Sequence, residues 1–171
     1  MVVVSWDKVL NRYAWSAVTV ATASDNSRKI CAADAALLIT ADHGEMEIAD
    51  RWISLTAVEN LVTAYSGEGR FRWLNARRGG VEDLAAAARD SYGRDAWVMT
   101  RDEVIDGGWL GPNPPPVANI RRLGDVLLAA RTEVGFLDPG LPREGQLVGA
   151  HGSLTRAEML VPLIGAPGRG A

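Results

Sequence analysis

The two histidines of this chain are the residues whose chemistry stands out first, because each is followed by glycine. His43 lies between Asp42 and Gly44 after an apolar run, and His151 directly precedes Gly152. Zinc is bound well by neutral imidazole nitrogens and carboxylate oxygens, and glycine lets backbone and substrate come close. Asp42, His43 and His151 are therefore candidate metal ligands. Two alternatives stay open: a hydrogen-bonded structural role for each histidine, and a turn or N-cap role for Asp42.

An apolar run over residues 35–40 must position the first of these histidines. The run ends abruptly in polar residues, as a strand buried on both faces does at its carboxyl end. Open α/β sheets build their functional sites at that edge. The sequence therefore predicts a buried strand with Asp42 and His43 just beyond its end.

Apolar periodicity and capping signals predict the other elements. The spacing predicts helices over residues 54–65 and 81–92, the second ended by Gly93, and strands over residues 71–74, 96–99, 126–129 and 134–137. Two capping boxes, Thr100 with Glu103 and Thr155 with Glu158, predict the starts of two further helices. His151 thus precedes a capped helix.

The overall composition is that of one soluble globular domain. The 171 residues carry a net charge of -3, and 47% of them are hydrophobic. Basic residues occur together only in pairs, so binding of nucleic acid through a basic surface is not expected. The single Cys31 forms no internal disulfide, and no apolar run approaches the roughly 20 residues of a membrane helix. We therefore expect a cytoplasmic protein with no nucleic-acid or membrane partner.

The composition changes near residue 30. Both lysines, Lys8 and Lys29, and four of the eight serines lie before this point, whereas the rest of the chain uses only arginine as its strong base. We expect residues 1–30 to be an atypical, unassigned N-terminal segment and residues 31–171 to contain the domain with both histidine motifs.

Two ordered motifs carry a resemblance to a known family. The sequence Thr-Ala-Asp-His-Gly at residues 40–44 resembles the metal motif of the alkaline phosphatase superfamily, and more narrowly its nucleotide pyrophosphatase/phosphodiesterase branch. The sequence His-Gly-Ser-Leu at residues 151–154, with Glu-Met-Leu-Val-Pro-Leu at 158–163, is similar to the C-terminal motif of that branch. Segments 98–101 and 108–112 also look like the family. The resemblance covers roughly residues 34–166 and only the C-terminal portion of the family's domain.

The resemblance implies a fold and a metal chemistry. The fold would be α/β, a mixed sheet flanked by helices, as in the C-terminal part of an alkaline phosphatase-like domain. The complete family site holds two zinc ions, which activate a Thr or Ser nucleophile and stabilise the transferring phosphoryl group. Asp42 and His43 would bind the ion nearest the nucleophile, and His151 would bind the other. The nucleophile and the other ligands have no counterpart here, so no catalytic residue is assigned and the two-zinc site is incomplete.

Three functional hypotheses follow. The first is a metal-dependent phosphoric ester hydrolase acting on a small phosphoester, present as a truncated chain whose partner is a missing N-terminal half or a second copy. The alternative is a non-catalytic remnant or partner-binding fragment. A third hypothesis is a structural or binding domain in which the two histidines have no common role.

Overall fold

The computed structural model describes the backbone of residues 36–167 and the side chains of residues 39–165. The described residues divide into a larger unit, His43–Leu160, and a smaller unit made of residues 36–42 and 161–167. The predicted boundary at residue 30 and Cys31 lie outside the described residues. The division into segments 1–30 and 31–171 therefore stays a prediction.

The described part of the chain contains mostly short strands, with four helices among them. In chain order they are β1 (Ala36–Thr40), β2 (Met46–Glu47), β3 (Trp52–Ser54), β4 (Val62–Glu68), β5 (Phe71–Ala76), α1 (Val81–Tyr92), β6 (Ala96–Thr100), α2 (Arg101–Asp106), α3 (Val117–Ile120), β7 (Val126–Ala130), β8 (Gly135–Leu137), β9 (Gly149–Ala150), α4 (Arg156–Met159) and β10 (Leu163–Pro167). Two 3-10 turns, Glu59–Leu61 and Pro142–Gln146, complete the set.

A four-stranded antiparallel sheet forms the centre of the larger unit, with strand order β4-β5-β7-β6. All five residues of β7 are buried. Val126, Leu128 and Ala130 of β7 pack on one face with Leu84 of α1. Leu127 and Ala129 pack on the other face. Because both faces are covered, β7 is an apolar run without alternation.

Helices lie on both faces of this sheet. Helix α1 places Leu84, Ala85 and Ala88 in the cluster that contains Leu128. Helix α2 places Val104 in the cluster on the opposite face, with Leu127 and Trp73. Elsewhere in the larger unit, β3 pairs with β8 in parallel and β2 pairs with β9 antiparallel. The predicted fold class, α/β with mixed strand pairing and flanking helices, is confirmed.

The predicted helix over residues 54–65 is wrong. The chain forms the 3-10 turn Glu59–Leu61 there and then enters β4. Leu55, Val58 and Val62 are all buried in the core, so their helix-like spacing reflects a turn that packs inward rather than a helix. Strand β4 is an edge strand whose residues are mostly exposed, and it therefore lacks the apolar alternation that identifies a strand.

The other predicted helices near the sheet are confirmed. Helix α1 has the predicted bounds and is followed by Gly93 at its C-cap. Helix α2 begins with the predicted capping box, in which the Thr100 side chain accepts from the backbone of Glu103 and the Glu103 carboxylate accepts from the backbone of Thr100. Local sequence signals therefore located these helix ends.

Strand β1 of the smaller unit is confirmed in position, and it pairs antiparallel with β10. The prediction that it is buried on both faces is wrong at its described end, because Ile39 is only half-buried and Thr40 is exposed. In the described part of the chain, no helix has the length and apolar character needed to cross a membrane.

Candidate functional site

His43 and His151 meet in the larger unit. Their rings stack with centroids 3.6 Å apart and planes inclined by 16°. The short ladder between β2 and β9 produces this meeting, because Met46 pairs with Ala150 and the two histidines lie just beyond that pair. The structure therefore brings together two of the three predicted ligands, although they come from distant parts of the sequence.

The structure explains why a glycine follows each histidine. A Cβ atom at Gly44 would collide with the backbone carbonyl oxygen of Ala157, so the His43 loop approaches α4 more closely than any other residue would permit. Gly152 has a φ of +113°, in the region that side chains rarely adopt. Gly44 therefore permits a close backbone approach, and Gly152 permits a backbone conformation that other residues rarely adopt. The sequence predicted close approach at these positions without identifying the partner.

One ring nitrogen of His43 has an assigned role. Nδ1 lies 2.8 Å from the carbonyl oxygen of Gly44. A carbonyl oxygen only accepts hydrogen bonds, so in this contact Nδ1 carries a proton and donates it. A backbone carbonyl that orients one nitrogen in this way is common behind histidines that bind metals through the other nitrogen.

Asp42 directly precedes His43 in sequence, and it is the last residue of the first segment of the smaller unit. Within the described residues, no group of three or more His, Cys, Asp or Glu side chains is arranged to hold a metal ion. Two imidazoles suit zinc in kind, but zinc sites in proteins use three or four ligands. The described residues therefore do not make a complete zinc site by themselves.

The loop that carries His151 is fixed by a buried ion pair that sequence reasoning missed. Arg70 is fully buried, and its Nε and Nη2 donate to the two carboxylate oxygens of Glu158 at 2.7 and 2.9 Å. Glu158 also accepts from the backbone of Ser153 at 2.9 Å and from the hydroxyl of Thr155 at 2.5 Å. The donors Ser153 and Thr155 follow His151 closely in the chain, and the donor Arg70 holds this loop against the sheet.

The electrostatics of Glu158 follow from these contacts. Burial by itself would raise the pKa of this carboxyl, but hydrogen bonds from Arg70, Thr155 and Ser153 outweigh it, so the pKa lies below its ordinary value. Glu158 is therefore ionised at neutral pH and forms a charged, bidentate pair with Arg70.

The predicted capping box of Thr155 and Glu158 is wrong in its contacts, although a helix does begin there. Helix α4 is a single turn, Arg156–Met159, and Thr155 makes no side-chain capping bond to it. The guanidinium of Arg70 takes the carboxylate instead, because a charged bidentate pair is stronger than a bond from a neutral backbone N–H. One sequence signal was available: Arg70 directly precedes β5 and Arg72 lies two positions later within it, and both side chains are buried.

Comparison with known proteins gives a structural match only. No protein-family model and no curated protein matches the sequence. Among solved structures, human ectonucleotide pyrophosphatase/phosphodiesterase 5 is similar with a TM-score of 0.60 and 18% identity, over 78% of this chain and 34% of that one. Phosphonoacetate hydrolase from Sinorhizobium meliloti is similar with a TM-score of 0.53 and 17% identity, over 79% of this chain and 38% of that one.

The chain therefore shares its fold with part of these ectonucleotide pyrophosphatase/phosphodiesterase and phosphonoacetate hydrolase structures. The murine ectonucleotide pyrophosphatase/phosphodiesterase 5 gives the same result, with a TM-score of 0.57 and 19% identity. This chain spans slightly more than one third of the length of the solved proteins that it matches. At these identities the likeness establishes the fold, and the activity has to be argued from the residues.

Proposed function

We propose that this chain supplies metal ligands to a phosphoester hydrolase of the nucleotide pyrophosphatase/phosphodiesterase type. The observation that carries the proposal is the contact between His43 and His151, whose rings are brought to 3.6 Å by the fold. The solved structures with this fold support the class, since they are named as pyrophosphatase/phosphodiesterase and as phosphonoacetate hydrolase. The substrate would be a small phosphoester.

The described residues indicate what this chain itself would contribute to the metal site. The Gly44 carbonyl accepts from Nδ1 of His43, so in the proposed site this ring would bind a metal through Nε2. In the proposed site Asp42 and His43 serve one zinc ion and His151 serves the second. A bound zinc ion supplies Lewis-acid stabilisation of charge on a phosphoryl oxygen.

The remaining ligands and the nucleophile must then come from elsewhere. We propose an N-terminal half of an alkaline phosphatase-like domain, or a second copy of this chain, as the source. Under this proposal, the chain acts as a C-terminal portion whose activity depends on that partner. The cytoplasm stays the predicted compartment.

Zinc binding and hydrolysis of an aryl phosphodiester by the purified, tag-free 171-residue chain test this proposal. Removal of the affinity tag matters because a polyhistidine tag would bind zinc more strongly than two histidines. We expect the double variant His43→Ala/His151→Ala to weaken zinc binding at least about 10-fold. Asp42→Ala should weaken it as well, whereas Asp50→Ala, an exposed aspartate eight positions later, should not.

The outcomes separate the hypotheses. Zinc binding that is equally strong in the double histidine variant would reject the proposed ligands. Zinc binding without hydrolysis, even after addition of an N-terminal half from an alkaline phosphatase-like enzyme, would favour the non-catalytic remnant. Hydrolysis that depends on His43 in the chain alone would show that this chain, or a second copy of it, supplies the nucleophile and the remaining ligands, and that no separate N-terminal half is needed.

A further inference from the structure

The two histidine loops share one anchor, residue Glu158. On one side its carboxylate accepts from Ser153 at 2.9 Å and from Thr155 at 2.5 Å, two and four residues after His151. On the other side its backbone carbonyl oxygen accepts from the backbone N–H of Gly44 at 2.7 Å, the residue after His43. Side chain and backbone of a single residue thus hold both loops.

Arg70 connects this anchor to the sheet. Its guanidinium binds Glu158 through Nε and Nη2, and its Nη1 donates to the carbonyl oxygens of Thr132 and Val134 at 2.9 and 2.6 Å. The carbonyl of Arg70 also accepts from the backbone of Ala130, the last residue of β7. Arg70 is therefore held by the rigid centre of the larger unit, and Glu158 is held by Arg70.

The His151 loop has a second attachment to the same strand. The hydroxyl of Ser153 donates to the carbonyl oxygen of Ala130 at 2.5 Å, and Ser153 is buried. Within the described residues, no buried side-chain nitrogen or oxygen is left without a hydrogen-bond partner. In a fully satisfied buried network of this kind, removal of a single member leaves a charge or a polar group unpaired, which is costly.

We propose that Glu158, held by Arg70, is a positioning residue that sets the stacking of His43 on His151. This inference rests on the proposed function and deepens it, since two metal ligands from distant parts of the chain have to be held in a fixed position relative to each other. Glu158 acts through the hydrogen bonds by which it holds the two loops. Gly44 contributes to the same arrangement, because only glycine lets the His43 loop come within hydrogen-bond distance of the Glu158 carbonyl.

The test is the geometry of the two rings, observed by NMR in the full chain without metal. The chain has only two histidines, so His43→Asn and His151→Asn assign the imidazole signals. We expect wild-type protein to show a nuclear Overhauser effect between the two rings. In Glu158→Gln this effect should be lost, and the ring C–H signals should move toward those of unstacked imidazole.

The matched control is Glu144→Gln. Glu144 is the carboxylate partner of Arg72, the other buried arginine, at 2.6 Å, and no bond links it to either histidine loop. If it also loses the ring contact, the effect of Glu158→Gln reflects general loosening and the proposal is overturned. A ring contact that persists in Glu158→Gln overturns it as well. If Glu158→Gln does not fold, Thr155→Val replaces it, and it must shift the His151 signals more than those of His43; equal or absent shifts reject the proposal.

A zinc titration of the same samples separates this inference from the proposed function. If the wild type binds zinc, Glu158→Gln should bind it about 10–100-fold more weakly, the usual cost of removing an outer partner of a ligand. If the wild type binds no zinc, the proposed function fails, while the metal-free ring contact still decides whether Glu158 positions the histidines.

Discussion

The four-stranded sheet and the two histidine loops are held together by different forces. In the sheet, β7 buries five apolar residues between helices on both faces, so the stabilising term is the area removed from water. The loops are held instead by a buried Arg70–Glu158 ion pair and by the hydrogen bonds around it. Apolar burial tolerates exchange of similar side chains, whereas a charge network tolerates little change in any member. The difference teaches that sensitivity to substitution is spread over many apolar residues in the sheet, whereas at the loops it is concentrated in the two partners of one buried ion pair.

The largest effect is expected from removing one member of that concentrated pair. Arg70→Met leaves the Glu158 carboxylate buried without its counterion, which should lower the free energy of unfolding by about 3–5 kcal/mol in urea titrations. The exposed pair of Arg51 with Glu133 is the matched control, and Glu133→Gln should cost less than about 1 kcal/mol. Equal losses in the two variants would contradict the comparison. Arg70→Met/Glu158→Leu should recover much of the loss, because both charges are then absent.

A somewhat smaller effect is expected in the sheet. Leu128 is fully buried in β7, and Leu128→Ala should lower the free energy of unfolding by about 3 kcal/mol through lost burial and the cavity left behind. The folded fraction should keep the ring contact of His43 and His151, because no bond of the loop network involves the Leu128 side chain. Loss of that contact in a folded Leu128→Ala protein would show that the two regions are not independent.

The smallest effect is a pH dependence that belongs to the loops. Because the folded pKa of Glu158 lies below its ordinary value, its contribution to stability is full above the ordinary glutamate pKa and is lost as the pH falls through the lower folded pKa. Urea titrations at a series of acidic pH values should therefore show a steeper loss in wild type than in Glu158→Gln. Glu103, whose pKa is lowered mainly by the backbone of Thr100, provides the exposed comparison. A Glu103→Gln variant should keep most of the wild-type acid sensitivity, and equal curves for wild type and Glu158→Gln would contradict the assignment.

Local sequence signals predicted those helices and strands whose conformation depends mainly on their own residues. Helix α1 has an alanine-rich apolar face and ends before Gly93, and α2 has a capping box, so both could be located without knowledge of their neighbours. The apolar runs of β1 and β7 were also located. Strand β4 was missed, because an exposed edge strand is defined by hydrogen bonds to β5 and leaves no pattern in its own side chains.

The same division holds for the candidate site. The motifs around Asp42, His43 and His151 identified the residues, and their role as metal ligands stays a prediction. The contact between the two rings depends on the β2–β9 ladder, which joins segments that the sequence alone does not pair. Glu158 illustrates the limit most clearly: its spacing from Thr155 predicts a capping box, yet in the folded protein it binds Arg70.

By itself, the sequence determined the main helices of the larger unit and the two histidine motifs, because these depend on periodicity and on residues close in the chain. The resemblance that those motifs carry implied the fold class. Only the tertiary structure decided that the histidines stack, that Gly44 fits against α4, and that one buried carboxylate holds both loops. The physical reason is that a buried charge takes the strongest partner available in three dimensions, and for Glu158 that partner is an arginine 88 positions away in the chain.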